Sequence, residues 1–284
     1  MMFALPHHME LLALPEDNSL NIAAQETYYP VLCTKGILKP IIGTIWNLIY
    51  PLSKVSYTYN VDSQMSVGEL DEIAVALQAD VNILPYSSDD YDFGKEIGRM
   101  ATLAFTANYL GIPNLLQTAV TNLQNALTPW LQGTNSDYFV YDTTYGGICT
   151  SNGINNSGAD YGNGWYNDHH FHYGYYTYAF AALVHFAPDY ALQYESEMDM
   201  IMGDICTPTS TNREFTFARH KDMFDGHSWA SGLFQEEAGK NQESSSEATN
   251  GYYGCYMYAE AKGIFTRTWK IYLLSILKLY IFKK

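Results

Sequence analysis

The feature that most constrains the fold is a change of hydrophobic period near residue 66. Ser66 and Glu69 form a capping-box pattern, and after them apolar residues recur at helical spacing. The same spacing returns over residues 94–111. Pro113 stands where a third helix is expected to begin, because proline is tolerated in the first turn of a helix. These segments predict a mainly α fold.

The residues upstream of this change read differently. Prolines at positions 6, 15, 30, 40 and 51 argue against any long helix there. The segments 27–33 and 37–50 are rich in β-branched or aromatic residues, so we expect strands and turns. No alternating pattern runs long enough to close a sheet alone, and residues 1–60 therefore look like the tail of a β domain.

The downstream half predicts helices separated by loops. Residues 132–167 form a long connection rich in Gly, Asn and Ser with one short strand at 138–142, and so long a loop in a compact domain is usually functional. Successive antiparallel helices with functional loops at one end favour an α/α toroid. The further helices are expected at 171–187, 190–205, 227–234, 243–262 and 264–282.

Charge excludes two classes of partner. The chain has 30 acidic and 15 basic residues, for a formal net charge of −15. Nucleic-acid binding depends on Lys and Arg at phosphates, and anionic membranes attract basic segments, so neither partner is expected. Residues 1–6 lack the features of a signal peptide. The apolar run at 271–282 is too short to span a bilayer.

Aromatic and cysteine content bears on the ligand and the compartment. A tyrosine ring offers a flat apolar face with a polar tip, which suits sugars, and the chain has 25 tyrosines. Many of these rings are equally expected in the core. The four cysteines show no metal-finger spacing and leave disulfides undecided.

One block, residues 166–176, concentrates chemistry-bearing side chains. It contains Asp168, His169, His170 and His172 among four tyrosines. Aromatic neighbours would partly desolvate Asp168 and raise its pKa, which keeps a proton available for a leaving oxygen. The alternative is that Asp168 only caps the helix that follows.

Two other interpretations of this region are weaker. The histidines resemble metal ligands, but adjacent imidazoles point in different directions and no second cluster completes a set, so we expect no metal and no cofactor. Residues 226–230, Gly-His-Ser-Trp-Ala, resemble a nucleophile elbow, but the fifth residue is Ala230 and the preceding residues are too polar for a buried strand.

A second block, residues 241–247, offers a pair of carboxylates. On a helix, Glu243 and Glu247 would share one face, where like charges repel, and this favours a functional site. The alternative is a solvated acidic first turn stabilised by the helix dipole. Asn241 and Gln242 could bind sugar hydroxyls or orient a water molecule.

Three ungapped segments in order carry a family resemblance. They are NDHHFHYG at 167–174, GHSWASGL at 226–233 and NQESSSEA at 241–248. Together they closely resemble glycoside hydrolase family 81, the endo-1,3-β-glucanases. Weaker matches at 5–8, 91–99 and 141–147 extend the likeness over residues 5–261.

The resemblance implies a β-sandwich, a linking domain and an (α/α)6 barrel that hydrolyses 1,3-β-glucan with inversion, and a secreted or cell-wall location. Asp168 would be the general acid. Glu247 or Glu243 would be the base, with Glu247 preferred and Glu243 positioning the water. The implied substrate-binding residues are Asp142, Tyr145, His172, His227, Asn241 and Gln242.

The sequence departs from this family at both ends. Most of the β-sandwich is missing, and the Lys-rich apolar segment 264–284 does not match the closing barrel helices. We therefore expect an incomplete (α/α)6 barrel at 61–263, preceded by a β-sandwich and linking remnant at 1–60 and followed by an atypical helix at 264–284. The competing hypothesis is an inactive glucan-binding fragment. The oligomeric state is left open.

Overall fold

The structure is a computed structural model that describes residues 1–13, 21–22, 31–49, 65–237 and 239–263. The chain divides into two compact units, Met1–Val55 with Met223–Gly226, and Ser56–Asp222 with His227–Lys284. The predicted boundary near residue 60 and the predicted helix at 264–282 lie outside the described residues. The partition into 1–60, 61–263 and 264–284 therefore stays a prediction.

The first unit contains a small antiparallel sheet built on one strand. Strand β4 (Gly36–Ile42) pairs with β1 (Met2–Ala4), β2 (Asn21–Ile22) and β3 (Val31–Cys33). A six-residue helix, α1 (Pro6–Leu11), follows β1 and has its proline in the first turn. The prolines thus limit helix length here without excluding a helix.

The second unit is mainly α, as predicted, and it also contains short two-stranded ribbons. Its longer helices are α2 (Val67–Asp80), α3 (Asp90–Tyr109), α4 (Pro113–Leu131), α6 (His169–Phe186), α8 (Glu195–Cys206) and α9 (Ser245–Ala261). The remaining elements are α5 (Ser151–Asn155), a 3₁₀ helix (Asp160–Trp165), α7 (Pro188–Gln193), and the strands β5 (Phe139–Asp142), β6 (Gly147–Thr150), β7 (Lys221–Asp222) and β8 (His227–Ser228).

Local capping explains where the first helices begin. The predicted capping box of α2 forms, because the Ser66 Oγ accepts the Glu69 N–H at 3.3 Å and the Glu69 carboxylate accepts the Ser66 N–H at 2.7 Å. Helix α4 begins at Pro113 as predicted. Helix α3 begins earlier than the predicted residue 94, because the Asp89 side chain accepts the Asp92 N–H at 2.8 Å.

Several predicted elements are wrong in detail. The expected helix at 227–234 is instead strand β8 followed by a loop, and the expected helix at 190–205 is broken between Gln193 and Glu195. The loop at 132–167 holds the predicted strand, which is β5, and in addition its partner β6, α5 and a 3₁₀ helix.

Helix α6 lies at the centre of the second unit, and glycines let its neighbours approach. A Cβ at Gly174 of α6 would collide with the backbone of Gly251 on α9, so these two helices cross in backbone contact. On α3, a Cβ at Gly98 would lie 3.1 Å from the Tyr175 ring. The tight packing therefore brings both α3 and α9 against α6.

A disulfide adds a covalent link within the second unit. Cys206 at the end of α8 is bonded to Cys255 of α9, both fully buried. The sequence alone had left this pairing undecided. Among the described residues, no helix combines the length and hydropathy needed to cross a bilayer.

Candidate active site

Asp168 lies immediately before α6, in a conformation unusual for its residue type. Its φ is +52°, in the left-handed region that disfavours residues with a Cβ. It occupies the N-cap position, yet its side chain makes no capping hydrogen bond. One carboxyl oxygen, Oδ1, is buried and accepts no hydrogen bond within the described part of the chain. The capping alternative therefore accounts for the position of Asp168 but not for its carboxyl group.

The surroundings of Asp168 favour its protonated form. Burial raises the pKa of the Asp168 carboxyl to about 7, and the charges of Glu243 and Glu247 raise it further, while His172 opposes the shift. At neutral pH a large fraction of Asp168 thus carries a proton, as the sequence predicted from its aromatic neighbours.

A buried pair of His172 and Asp90 influences the pKa of Asp168. The Nδ1 of His172 lies 2.7 Å from the Oδ2 of Asp90, and both side chains are at most 1% exposed. Asn163 donates to the same oxygen at 2.8 Å. Burial lowers the pKa of His172, but the charge of Asp90 outweighs it, so the net pKa shift is upward. A cationic His172 next to Asp168 limits how far the pKa of Asp168 rises.

Glu247 has the opposite electrostatic setting. It lies in the first turn of α9, and its Oε1 accepts hydrogen bonds from the Tyr91 hydroxyl at 2.6 Å and from the Tyr175 hydroxyl at 2.8 Å. Burial opposes ionisation, but the bonds from these tyrosines and from Ser244 outweigh it and lower the pKa of Glu247. Glu247 is therefore held as a carboxylate beside a protonated Asp168.

Glu243 does not share a helix face with Glu247, which corrects the prediction. Helix α9 starts at Ser245, because the Ser244 Oγ accepts the Glu247 N–H at 3.2 Å and caps the helix there. Glu243 precedes that cap and is exposed. The two glutamates still flank Asp168, since both raise its pKa, but the loop and not the helix places Glu243.

Two predicted substrate residues lie around the β5–β6 hairpin. Asp142 ends β5, and its carboxylate accepts the Tyr166 hydroxyl at 2.8 Å and the Thr144 N–H at 2.8 Å. Burial opposes ionisation, yet these bonds lower the pKa of Asp142. Tyr145 in the turn is 49% exposed, and its ring meets that of Tyr166 edge-on. Their role in binding substrate stays a prediction.

Three other predicted substrate residues lie on the segments after β7, and the fourth, His172, lies in α6. His227 is in β8 and is 8% exposed, with its ring edge-on to Trp229. The side-chain oxygen of Asn241 accepts a hydrogen bond from the Ser231 hydroxyl at 2.8 Å, which links the two loops. Gln242 is exposed. His172, the remaining member of the set, is buried against Asp90. Their binding roles also stay predictions.

The histidine-rich block does not converge on a common point. His169 pairs with Asp204 at 2.7 Å, His170 lies 2.9 Å from the Ser228 hydroxyl, and His172 pairs with Asp90. The described ranges hold no group of three or more His, Cys, Asp or Glu arranged to hold a metal ion. Ser228 lies in a fully buried strand position, unlike the exposed serine of a nucleophile elbow.

Three residues of this cluster were missed by sequence reasoning. Asp90, Tyr91 and Tyr175 orient or charge the predicted catalytic groups, yet none was singled out. Two signals existed. Tyr175 lies within the His-rich block, three positions after His172 and so on a neighbouring helix face, and Tyr91 opens the weakly matching segment 91–99.

The fold and this cluster define a class: a mainly α protein with a partly buried aspartate of raised pKa and a glutamate of lowered pKa at one site. The model of the Glycosyl hydrolase family 81 C-terminal domain matches residues 63–266. The chain belongs to this family.

Known relatives and a solved structure agree with this membership. The chain is 34% identical over 269 residues to a Glycine max glucan endo-1,3-β-D-glucosidase, covering 93% of this chain and 39% of that protein. It is 32% identical over 244 residues to the glucan endo-1,3-β-D-glucosidase of Acetivibrio thermocellus, covering 83% and 30%. The primary septum glucan endo-1,3-β-D-glucosidase of Schizosaccharomyces pombe is 33% identical over 177 residues, covering 61% and 17%.

The structural match identifies the fold. A structure of glycoside hydrolase family 81 from Clostridium thermocellum superposes with a TM-score of 0.77 at 23% identity, covering 98% of this chain and 37% of the other. The prediction of a mainly α fold of the α/α-barrel type is confirmed by this likeness. The chain spans about two fifths or less of the length of the relatives named above.

Proposed function

We propose that this chain carries the catalytic groups of an inverting endo-1,3-β-glucanase, with Asp168 as general acid and Glu247 as general base. The observation that supports this most strongly is the opposite ionisation of two carboxyl groups in one cluster. Burial raises the pKa of Asp168 to about 7, whereas two tyrosine hydroxyls lower the pKa of Glu247. Environments that separate two carboxyl pKa values in this way assign an acid and a base.

The proposed reaction is a single displacement. Asp168 donates its proton to the glycosidic oxygen as the bond from that oxygen to the anomeric carbon breaks. Glu247 removes a proton from a water molecule whose oxygen bonds to the anomeric carbon from the opposite face. The products are two shorter glucans, a protonated Glu247 and an ionised Asp168, and solvent exchange restores both groups.

Glu247 fits the role of base better than Glu243. A general base must be ionised to remove a proton from water. Glu247 is partly buried and its carboxylate accepts the Tyr91 and Tyr175 hydroxyls, which lower its pKa, whereas Glu243 is exposed in the loop before α9. We assign Glu243 to keeping Asp168 protonated, because a neighbouring negative charge disfavours its ionisation.

The relatives support the substrate class and a location outside the cytosol. Those from Glycine max and Acetivibrio thermocellus are named glucan endo-1,3-β-D-glucosidases, and the Schizosaccharomyces pombe relative is named for the primary septum. The buried Cys206–Cys255 disulfide suits an oxidising compartment. We therefore propose 1,3-β-glucan as the partner and the cell wall or its surroundings as the location.

A reducing-end assay on laminarin tests the proposal. Wild-type turnover that is lost in both Asp168→Asn and Glu247→Gln would support the acid–base pair. Glucan binding without any wild-type turnover would identify an inactive glucan-binding protein instead. NMR of the first products tests the stereochemistry, since inversion at a β-linkage releases the α-anomer. Initial release of the β-anomer would overturn the single-displacement mechanism.

A further inference from the structure

The segment that leads into Asp168 has a strained backbone. Asp160, Tyr161, Tyr166 and Asp168 all have positive φ angles, between 49° and 62°. Such conformations are unfavourable for residues with a Cβ and persist only where the surrounding structure enforces them, often at binding sites. The surrounding structure therefore holds this segment in a backbone conformation that its residues disfavour.

This segment and the loop after β8 expose three aromatic side chains, here called the aromatic rim: Tyr161, Trp165 and Phe234. They are 56%, 39% and 38% exposed. The rings of Trp165 and Phe234 are stacked with centroids 5.0 Å apart and an interplanar angle of 18°. Clustered exposed apolar side chains mark binding surfaces more often than isolated ones do.

The aromatic rim is fastened to the backbone around Asp168. The Asp168 N–H donates to the Ala230 carbonyl at 3.0 Å, and the Leu233 N–H donates to the Trp165 carbonyl at 2.7 Å. The Gly232 N–H donates to the Asn167 side chain at 2.9 Å. The two loops that carry Trp165 and Phe234 are thus joined by the same hydrogen bonds that hold Asp168.

The aromatic rim also reaches the other side of the site. The Tyr161 ring meets the Tyr91 ring edge-on with centroids 5.1 Å apart, and Tyr91 is a hydrogen-bond donor to Glu247. The Tyr161 hydroxyl donates to Asp92 at 3.1 Å, which holds the ring in place. The rim therefore borders both Asp168 and Glu247.

We propose that the aromatic rim is a sugar-binding subsite, where the CH face of a glucosyl unit of the bound glucan, one not being cleaved, packs on the exposed outer surface of the stacked Trp165–Phe234 pair. This assignment rests on the proposed function. Aromatic rings pack well against apolar CH surfaces, while the polar groups beside them can bind sugar hydroxyls. A protein docked on a surface bordering both carboxyl groups would obstruct the site, whereas a polymer held by that site must pass over it.

Calorimetric titration with laminarihexaose tests this subsite in the full chain. An Asp168→Asn background prevents turnover while keeping the rim. In that background, Trp165→Ala and Phe234→Ala should each weaken binding about tenfold, from the lost ring contact. Trp165→Phe should stay within about threefold, because a flat ring remains. Tyr109→Ala is the matched control, since Tyr109 is a 51% exposed aromatic at the far end of α3 and should leave the affinity unchanged.

The outcomes separate the two proposals. If the background binds laminarihexaose and both rim variants bind within twofold of it, the subsite is wrong and the proposed function stands. If the background binds none and the wild type does not cleave laminarin, both proposals fall. Should either alanine variant unfold by circular dichroism, Trp165→Leu and Phe234→Leu keep most of the volume without the ring. They are expected to lose the same affinity.

Discussion

Two helices of this protein begin with the same four-residue pattern and use it differently. Ser66 and Glu69 open α2, and Ser244 and Glu247 open α9. In both, the serine Oγ accepts the glutamate N–H, at 3.3 Å and 3.2 Å respectively. In α2 the carboxylate returns to the Ser66 N–H at 2.7 Å and completes the box. In α9 the Glu247 carboxylate instead accepts hydrogen bonds from the hydroxyls of Tyr91 and Tyr175.

The difference between these two glutamates shows how tertiary packing changes the role of the same local capping pattern. The pKa of Glu69 is lowered by the backbone and hydroxyl of Ser66, on an exposed helix end. The pKa of Glu247 is also lowered, but against burial and by hydroxyls from α3 and α6. The first carboxylate stabilises a helix start. The second is held ionised in a partly buried place, where a carboxylate can act as a base.

The largest expected effect comes from exchanging the two carboxylates for amides. Glu247→Gln should lower kcat on laminarin by about 10² to 10⁴, the usual contribution of a general base. Glu69→Gln should leave kcat unchanged and lower the melting temperature only slightly, because a glutamine at this position still accepts the Ser66 N–H and only the charge at the helix start is lost. Reducing-end assays and thermal melts measure both. Equal kcat values for the two variants would end the functional distinction between the helix starts.

The pH dependence of kcat/KM gives the next largest effect. Asp168, with a pKa raised to about 7, is protonated below that pH, so activity should fall about tenfold per unit as pH rises above 7. The proposed base, Glu247, has a lowered pKa and stays ionised until the pH falls below the usual glutamate range. The profile of Glu69→Gln should coincide with that of wild type. A wild-type profile that is flat up to pH 9 would contradict the role of Asp168.

Removing the tyrosine hydroxyls should convert Glu247 towards an ordinary buried carboxyl. In the variant with both Tyr91→Phe and Tyr175→Phe, burial is no longer offset, so the pKa of Glu247 should rise and the acidic limb of the profile should move to higher pH. We expect about a tenfold loss of kcat/KM near pH 5, since a hydrogen bond to a charged group contributes about 1.5 to 3 kcal/mol. Tyr109→Phe is the control. An unmoved acidic limb would show that the hydroxyls do not tune this carboxylate.

The smallest effect compares the two caps themselves. Ser66→Ala and Ser244→Ala should each lower the free energy of unfolding by about 1 kcal/mol, or roughly 2 to 4 °C in Tm for a chain of this size. Only Ser244→Ala should also move the acidic limb of the pH profile upward, because the Ser244 hydroxyl helps to lower the pKa of Glu247. A shift of the acidic limb in Ser66→Ala as well would contradict this difference between the two caps.

Much of the helical framework was predictable because the signals are local. The capping box at Ser66 and the proline at 113 mark helix starts through groups within one turn of each other. The start of α3 was missed because Asp89 caps it ahead of the periodic apolar residues. The segment 227–234 was mistaken for a helix, although it pairs through β8 with β7, and a two-residue ribbon leaves almost no periodic signal.

The sequence by itself predicted which residues could carry the chemistry, since Asp168, Glu243 and Glu247 stand out by type and context. It also determined where several helices begin, since a cap joins residues three apart. Only the tertiary structure decided which carboxyl is protonated and which is ionised. That depends on burial and on partners remote in the chain: Tyr91 is 156 positions from Glu247, and Asp90 is 82 from His172. A pKa depends on distances in space. The packing of α3, α6 and α9 sets these distances, and no local sequence pattern encodes them.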